Sequence, residues 1–153
     1  MFNSLILIVL LYSQGLSAGE ITAITDLSAL GERIRESGEP CALYVSRDDC
    51  PYCRQLEKEV LIPMAKGGEF DELCLVEFEW NAGEVIDFEG DLRRADDIVA
   101  GYSVTVTPTV VFVGADGEQL GDQLIGYQGS DLYFELLRKR LRQATEWLNP
   151  NGS

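Results

Sequence analysis

Residues 41–53 read Cys41-Ala42-Leu43-Tyr44-Val45-Ser46-Arg47-Asp48-Asp49-Cys50-Pro51-Tyr52-Cys53. Ala42 to Ser46 is a short apolar run rich in strand-forming side chains, and Arg47-Asp48-Asp49 closes it with a polar turn. Beyond the turn, Leu56, Val60 and Met64 recur every four residues with Arg54, Glu57, Lys58 and Glu59 between them, which is the stripe of an amphipathic helix. Two cysteines therefore stand where a strand ends and a helix begins. Pro51 suits the first helical turn, where a missing amide donor costs nothing. Cys50 falls at the helix N-terminus, whose unpaired amides and positive dipole end favour a thiolate over a thiol. Cys53, one turn further in, points toward the body of the protein and can resolve a mixed disulfide formed by Cys50. The reading is a redox dithiol in which Cys50 attacks and Cys53 resolves. Arg47 and Arg54 act to lower the Cys50 pKa, whereas Asp48 and Asp49 act to raise it, and Asp49 is also a candidate helix cap. The net sign, and with it the direction of electron flow, stays open at this level.

Upstream, residues 1–18 carry no charge, and an apolar run from Leu5 to Leu11 leads to the small-residue end Leu16-Ser17-Ala18 before Gly19-Glu20. This resembles a signal peptide cleaved after Ala18, leaving a domain over residues 19–153 exported to an oxidising compartment. The segment lacks a Lys or Arg ahead of its apolar run, and the run is shorter than a spanning helix requires. An uncleaved membrane anchor is the alternative.

The chain has 153 residues, 46% hydrophobic and 25% charged, which suits one globular domain with its own core. Its formal net charge is −14, so nucleic acid and anionic membrane surfaces would be repelled. It contains no His, which removes the usual general base and metal imidazole and argues against Cys-His hydrolase chemistry. No metal and no cofactor are expected.

Along the chain, Ile21 to Ile24 is read as a short strand, and Leu27, Leu30 and Ile34 mark a helix capped by Asp26 and stopped at Gly38. The helix after the cysteines should bend or end near Pro63, with Gly67-Gly68 as the break. Leu73 to Trp80 reads as a strand, Asn81 to Gly90 as an acidic loop, and Asp91 to Tyr102 as a helix. Thr109 to Val113 is a strand, and Asp116-Gly117 turns the chain into Gln119-Leu120 and Leu124-Ile125. A last helix runs from Ser130 to about Trp147, with Leu132, Leu136, Leu137, Leu141 and Leu148 as its apolar stripe. Trp80 and Trp147 are read as packing residues. The acidic set Glu84, Asp87, Glu89, Asp91, Asp96 and Asp97 fits no EF-hand spacing and reads as a solvated face.

This pattern resembles the thioredoxin superfamily over about Ile21 to Leu148, on the evidence of Cys50-Pro51-Tyr52-Cys53, of Thr107-Pro108 before a strand, and of Gly126 after the hairpin. The resemblance implies an α/β thioredoxin fold, with a central mixed sheet flanked by helices and ending in a β-hairpin and a C-terminal helix. It also implies a cis Thr107–Pro108 bond beside the dithiol, with Thr107, Pro108 and Gly126 forming a substrate-contacting rim. Tyr52, beside the attacking sulfur, is a candidate substrate contact or a plain surface ring. Within the superfamily, the leader, Asp49-Cys50-Pro51-Tyr52-Cys53-Arg54 and Gly126-Tyr127-Gln128-Gly129 look most like periplasmic SoxW-type thioredoxin-related proteins. That likeness implies a periplasmic thiol-disulfide oxidoreductase, most simply a reductase of client proteins fed by a membrane electron donor and needing no small-molecule cofactor. An oxidase or isomerase, or a non-catalytic binding module of the same fold, are the alternatives. The interval from Cys53 to Pro108 leaves no room for the inserted helical domain of DsbA-type oxidants.

Two features depart from thioredoxin. The dithiol is not Trp-Cys-Gly-Pro-Cys, and the place of the family's buried strand carboxylate is held by Tyr44, leaving Glu79 as a candidate proton acceptor. Cys41 and Cys74 begin strands that the thioredoxin topology sets side by side and parallel. They form a second, structural disulfide or remain two buried thiols. A four-cysteine zinc site would need Cys41 to reach the far end of its own strand, about 30 Å at roughly 3.3 Å per residue, and is set aside.

Overall fold

Every residue of Cys41–Ser46 (β1) is buried, and its side chains divide alternately between two cores, as strand geometry requires of a central strand. Ala42 and Tyr44 join Leu56, Val60, Leu61, Val110, Phe112, Leu137 and Leu141 on one face. Cys41, Leu43 and Val45 join Leu27, Leu30, Ile34, Val76, Phe78, Val99, Val111 and Val113 on the other. Full burial of one such aliphatic or aromatic side chain contributes about 1.5–3 kcal/mol, so the two cores together hold the layers. The computed structural model describes residues 21–149; the leader expected over residues 1–18 lies outside them.

The elements follow in chain order as α1 (Leu27–Ser37), β1, α2 (Pro51–Leu56), a π-helical turn (Glu57–Leu61), α3 (Ile62–Gly67), α4 (Glu69–Glu72) and β2 (Cys74–Glu79). Then come β3 (Glu84–Ile86), β4 (Leu92–Arg94), α5 (Ala95–Gly101), β5 (Thr109–Val113), β6 (Leu124–Ile125) and α6 (Ser130–Leu148). The main sheet is ordered β2-β1-β5-β6, with β1 parallel to β2 and antiparallel to β5. One core lies between the sheet and α2, α3 and α6, the other between the sheet and α1 and α5.

Local chemistry explains most boundaries. The Asp26 carboxylate accepts from the Ala29 amide at the start of α1, and Gly38, at φ +71°, ends that helix in the left-handed conformation. Pro63 has no amide to give the Glu59 carbonyl and its ring crowds that oxygen. The chain widens ahead of it, so that the Ile62 amide reaches the Glu57 carbonyl in the π-helical turn. Gly68, at φ +83°, then closes α3.

Four sequence-based expectations are corrected. Residues Ile21 to Ile24 form a single parallel bridge, Ala23 with Glu77, rather than a full strand. The acidic stretch 81–90 is not all loop. Its Glu84–Ile86 pairs antiparallel with Leu92–Arg94, and the Asp87 carboxylate accepts from the Glu89 and Asp91 amides, both at 2.9 Å, to hold the connecting turn. Only Val85 of that hairpin is fully buried, too little apolar content to announce a strand. The helix expected from Asp91 accordingly begins at Ala95. On α6, Leu132 and Trp147 are 64% and 67% exposed, so neither is a packing residue; Leu137 and Leu141 are buried as expected, with Tyr133 and Ala144 beside them.

Candidate active site

The polar turn after β1 delivers Cys50 to the first position of a helical run that continues to Gly67. Cys50, not Asp49, is the cap: its Sγ accepts from the Cys53 amide at 3.1 Å. Pro51 occupies the first turn. The sulfur thus sits where a helix offers unsatisfied N–H groups, the position that favours a thiolate when the bond is open. Cys50 and Cys53 are joined as a disulfide, with Cα atoms 5.2 Å apart. Cys50 is 6% exposed and Cys53 1%, an asymmetry that leaves Cys50 as the sulfur a partner can reach.

The charges around the dithiol are mutually engaged. Arg47 pairs with Asp49, Nε to Oδ1 at 3.2 Å, and its guanidinium lies 5.8 Å from the centre of the half-buried Trp80 ring. Arg54 donates to the Asp48 carbonyl at 2.9 Å. Arg47 and Asp49 therefore offset one another, whereas the Asp48 carboxylate lies beside Glu79, and the aligned amides of the helix start add a positive local field at Cys50.

A shallow cleft of about 230 Å³ joins Cys50, Pro51 and Tyr52 to Thr107. The Thr107–Pro108 peptide bond is cis. Thr107 is partly exposed, Pro108 is buried, and the Tyr52 ring is 61% exposed at the mouth. Gly126, at φ +75°, donates its amide to the Pro108 carbonyl at 2.8 Å, so it stands behind the proline rather than in the cleft. It lines a neighbouring groove with the exposed Ile125 and Leu132.

Beneath the dithiol the structure adds a contact that sequence reading missed. The Tyr44 hydroxyl donates to Glu57 Oε1 at 2.9 Å. Glu57 follows Cys53 by one α-helical turn, its amide donating to the Cys53 carbonyl, so the two side chains share a helix face. Burial pushes the Glu57 carboxyl above its ordinary value; the Tyr44 hydrogen bond opposes this and the nearby Glu77 adds to it. Burial, then the Glu57 charge, push the Tyr44 phenol far up, so it stays a donor. Glu77 accepts from the Ser46 hydroxyl at 2.6 Å. Glu79, the candidate acceptor from sequence, is also raised, by burial and by Asp48 beside it. The four-residue spacing from Cys53 was the available signal for Glu57.

At the other end of β1, Cys41 and Cys74 are opposite partners in the parallel β1–β2 register and are joined as a disulfide, with Cα atoms 4.6 Å apart.

A mixed sheet of this strand order, carrying a helix-capping dithiol where its central strand ends, is the thioredoxin fold. Residues 30–141 match the thioredoxin-like domain family, and the chain belongs to that family. Solved structures bear out the fold. A Fasciola hepatica thioredoxin superposes with a TM-score of 0.52 at 21% identity, covering 81% of this chain and 99% of that one. The DsbH oxidoreductase gives 0.57 at 20%, covering 82% and 88%. The C-terminal domain of Neisseria meningitidis DsbD in its oxidised form gives 0.54 at 16%, covering 79% and 99%. Comparison with curated proteins finds no match.

Proposed function

We propose that the protein is an exported thiol-disulfide oxidoreductase that reduces disulfides of client proteins through Cys50 and Cys53. The observation that carries this reading is the seat of Cys50 Sγ on the Cys53 amide at 3.1 Å, at a helix start and beside the cleft shared with Tyr52 and Thr107. In the reduced protein, the Cys50 thiolate attacks a client disulfide, one client sulfur leaves as a thiolate, and a mixed disulfide forms. Cys53 then gives up its proton and attacks Cys50 Sγ, which releases the second client thiolate and closes the Cys50–Cys53 bond. Glu57, one turn from Cys53 and held by Tyr44, takes that proton in place of a strand carboxylate. Burial brings its affinity for a proton closer to that of a thiol, which suits the transfer. Tyr52 and Thr107 form the rim against which the client segment lies, with Pro108 and Gly126 behind holding the Thr107 backbone in place.

Reduction is preferred to oxidation because of the SoxW-like character of Asp49 to Arg54 and Gly126 to Gly129. It requires an upstream donor, assigned to the membrane, and a location in the periplasm reached by removal of residues 1–18. A Cys53→Ser variant should trap client proteins through Cys50; no trapped client in a periplasmic extract would overturn the reading. The reduction potential of the couple fixes direction: a value at or below about −250 mV supports a reductase, and one between about −180 and −120 mV supports an oxidase or isomerase.

A further inference from the structure

The Cys41–Cys74 bond lies at the opposite end of β1 from Cys50, and its two sulfurs are unequal. Cys41 is 0% exposed. Cys74 is partly exposed, more so than Cys50, and lines an open cavity of about 210 Å³ with Arg138 and Arg142. The Arg33 guanidinium donates to Cys74 Sγ at 2.8 Å. Glu39, the acidic side chain lining that cavity, accepts from the Thr145 hydroxyl at 3.2 Å. These three arginines cluster near this disulfide although the chain holds 26 acidic residues against 12 basic ones. Arg33 touches the sulfur, while Arg138, whose guanidinium also lies 5.3 Å from the centre of the Phe134 ring, and Arg142 face the cavity beside it, so the cavity presents positive charge to an anion entering there.

We infer that Cys41–Cys74 is a second redox couple, entered through Cys74, whose co-substrate is a small carboxylate-bearing thiol or its disulfide held by Arg138 and Arg142. In the opening direction, the thiolate of the small molecule attacks Cys74 Sγ, the Cys41–Cys74 bond breaks, and Cys41 leaves and takes up a proton. A second thiolate attacks the small molecule's own sulfur in that mixed disulfide, releasing Cys74 as a thiolate and the small molecule as its disulfide. Two thiols are oxidised and the couple gains two electrons. In the closing direction the Cys74 thiolate, favoured by Arg33, attacks the small disulfide and expels one thiolate; Cys41 loses its proton and displaces the other. Cys41, buried among apolar side chains that disfavour its thiolate, serves as resolver. The inference holds whichever way the Cys50–Cys53 couple runs.

Glutathione, which carries two carboxylates, is the probe. In the full chain with Cys50→Ser and Cys53→Ser, the couple is reduced and exposed to glutathione disulfide, then quenched in acid and read by mass spectrometry. The expected result is a transient single adduct on Cys74 that accumulates when Cys41→Ser is added. Arg138→Ala with Arg142→Ala should slow adduct formation by roughly tenfold and leave the rate with hydroxyethyl disulfide, which has no carboxylate, unchanged. An adduct on Cys41 instead of Cys74, or an equal slowing with both probes, would overturn the inference. The unsubstituted chain supplies a control free of folding effects. Equilibrated across glutathione buffers under native conditions, it should show the Cys41–Cys74 bond opening within the range of ratios, and a bond that stays closed throughout overturns the inference as well.

Discussion

The two ends of β1 each carry a disulfide, yet the same bond does different physical work at each. At the carboxyl end, Cys50 and Cys53 are separated by three positions within one helical turn. At the amino end, Cys41 and Cys74 are separated by 33 positions and tie two neighbouring parallel strands. Cross-linking restricts the unfolded chain more when the closed loop is longer; by chain entropy the short loop is worth about 1.6 kcal/mol and the long one about 3.7 kcal/mol. A bond that contributes little to the fold can open and close in every turnover without threatening the domain. The comparison teaches that loop length, rather than sulfur chemistry alone, sets how much of the fold's stability each bond holds. Cys74 of the long loop is nonetheless more exposed than Cys50 of the short one, which is where the proposed second couple would be entered.

The largest expected effect tests the carboxyl end. Cys50→Ala with Cys53→Ala should abolish insulin reduction in a turbidity assay while lowering the unfolding free energy by only about 1.6 kcal/mol. Cys41→Ala with Cys74→Ala should do the reverse at the amino end, retaining insulin reduction and losing about 3.7 kcal/mol in urea unfolding. Comparable stability losses for the two double variants would break the comparison.

Next in size is Glu57→Gln. Removing a positioned proton acceptor typically costs 10²–10⁴-fold in the step it serves, so the resolving step should slow by about a hundredfold at neutral pH, with attack by Cys50 unchanged in stopped-flow trapping. Stability should move the other way. The folded carboxyl is held above its ordinary value of 4.5, chiefly by burial. Its contribution to stability is therefore full below that value and is lost as pH rises through the higher folded one. The variant should consequently match the parent in melting temperature below pH 4.5 and exceed it as pH rises through the range in which the folded carboxyl ionises.

How much of this was legible in the sequence depends on where the information lay. The strand-turn-helix around Cys50, the cap at Asp26, the stop at Gly38 and β5 were written in local pattern, and the structure has them in place. The β3–β4 hairpin was hidden because one buried side chain, Val85, organises a segment of charged residues. Trp147 and Leu132 fell on the wrong face because composition marks an apolar stripe without fixing its width. The cap at Cys50 rather than Asp49 turns on one hydrogen bond to a sulfur, below what residue type can decide. The site was half legible: the dithiol and Thr107 stood in the sequence, whereas the Tyr44–Glu57 contact joins residues 13 apart across strand and helix and needed the fold to bring them together.

The smallest effect probes that contact. Tyr44→Phe keeps the ring in the core and deletes only the hydroxyl, so the expected loss is about 1 kcal/mol, that of one hydrogen bond, by urea unfolding. The hydroxyl donates to Glu57 and favours its ionised form, so removing it raises the Glu57 pKa further. A higher pKa leaves less carboxylate available as acceptor at a given pH, and the acid limb of the resolving step's pH profile should move toward higher pH. In Glu57→Gln that limb should be absent, and in the double variant the Tyr44 substitution should move nothing. A limb that shifts equally with and without Glu57 would place the proton acceptor elsewhere, with Glu79 the next residue to replace.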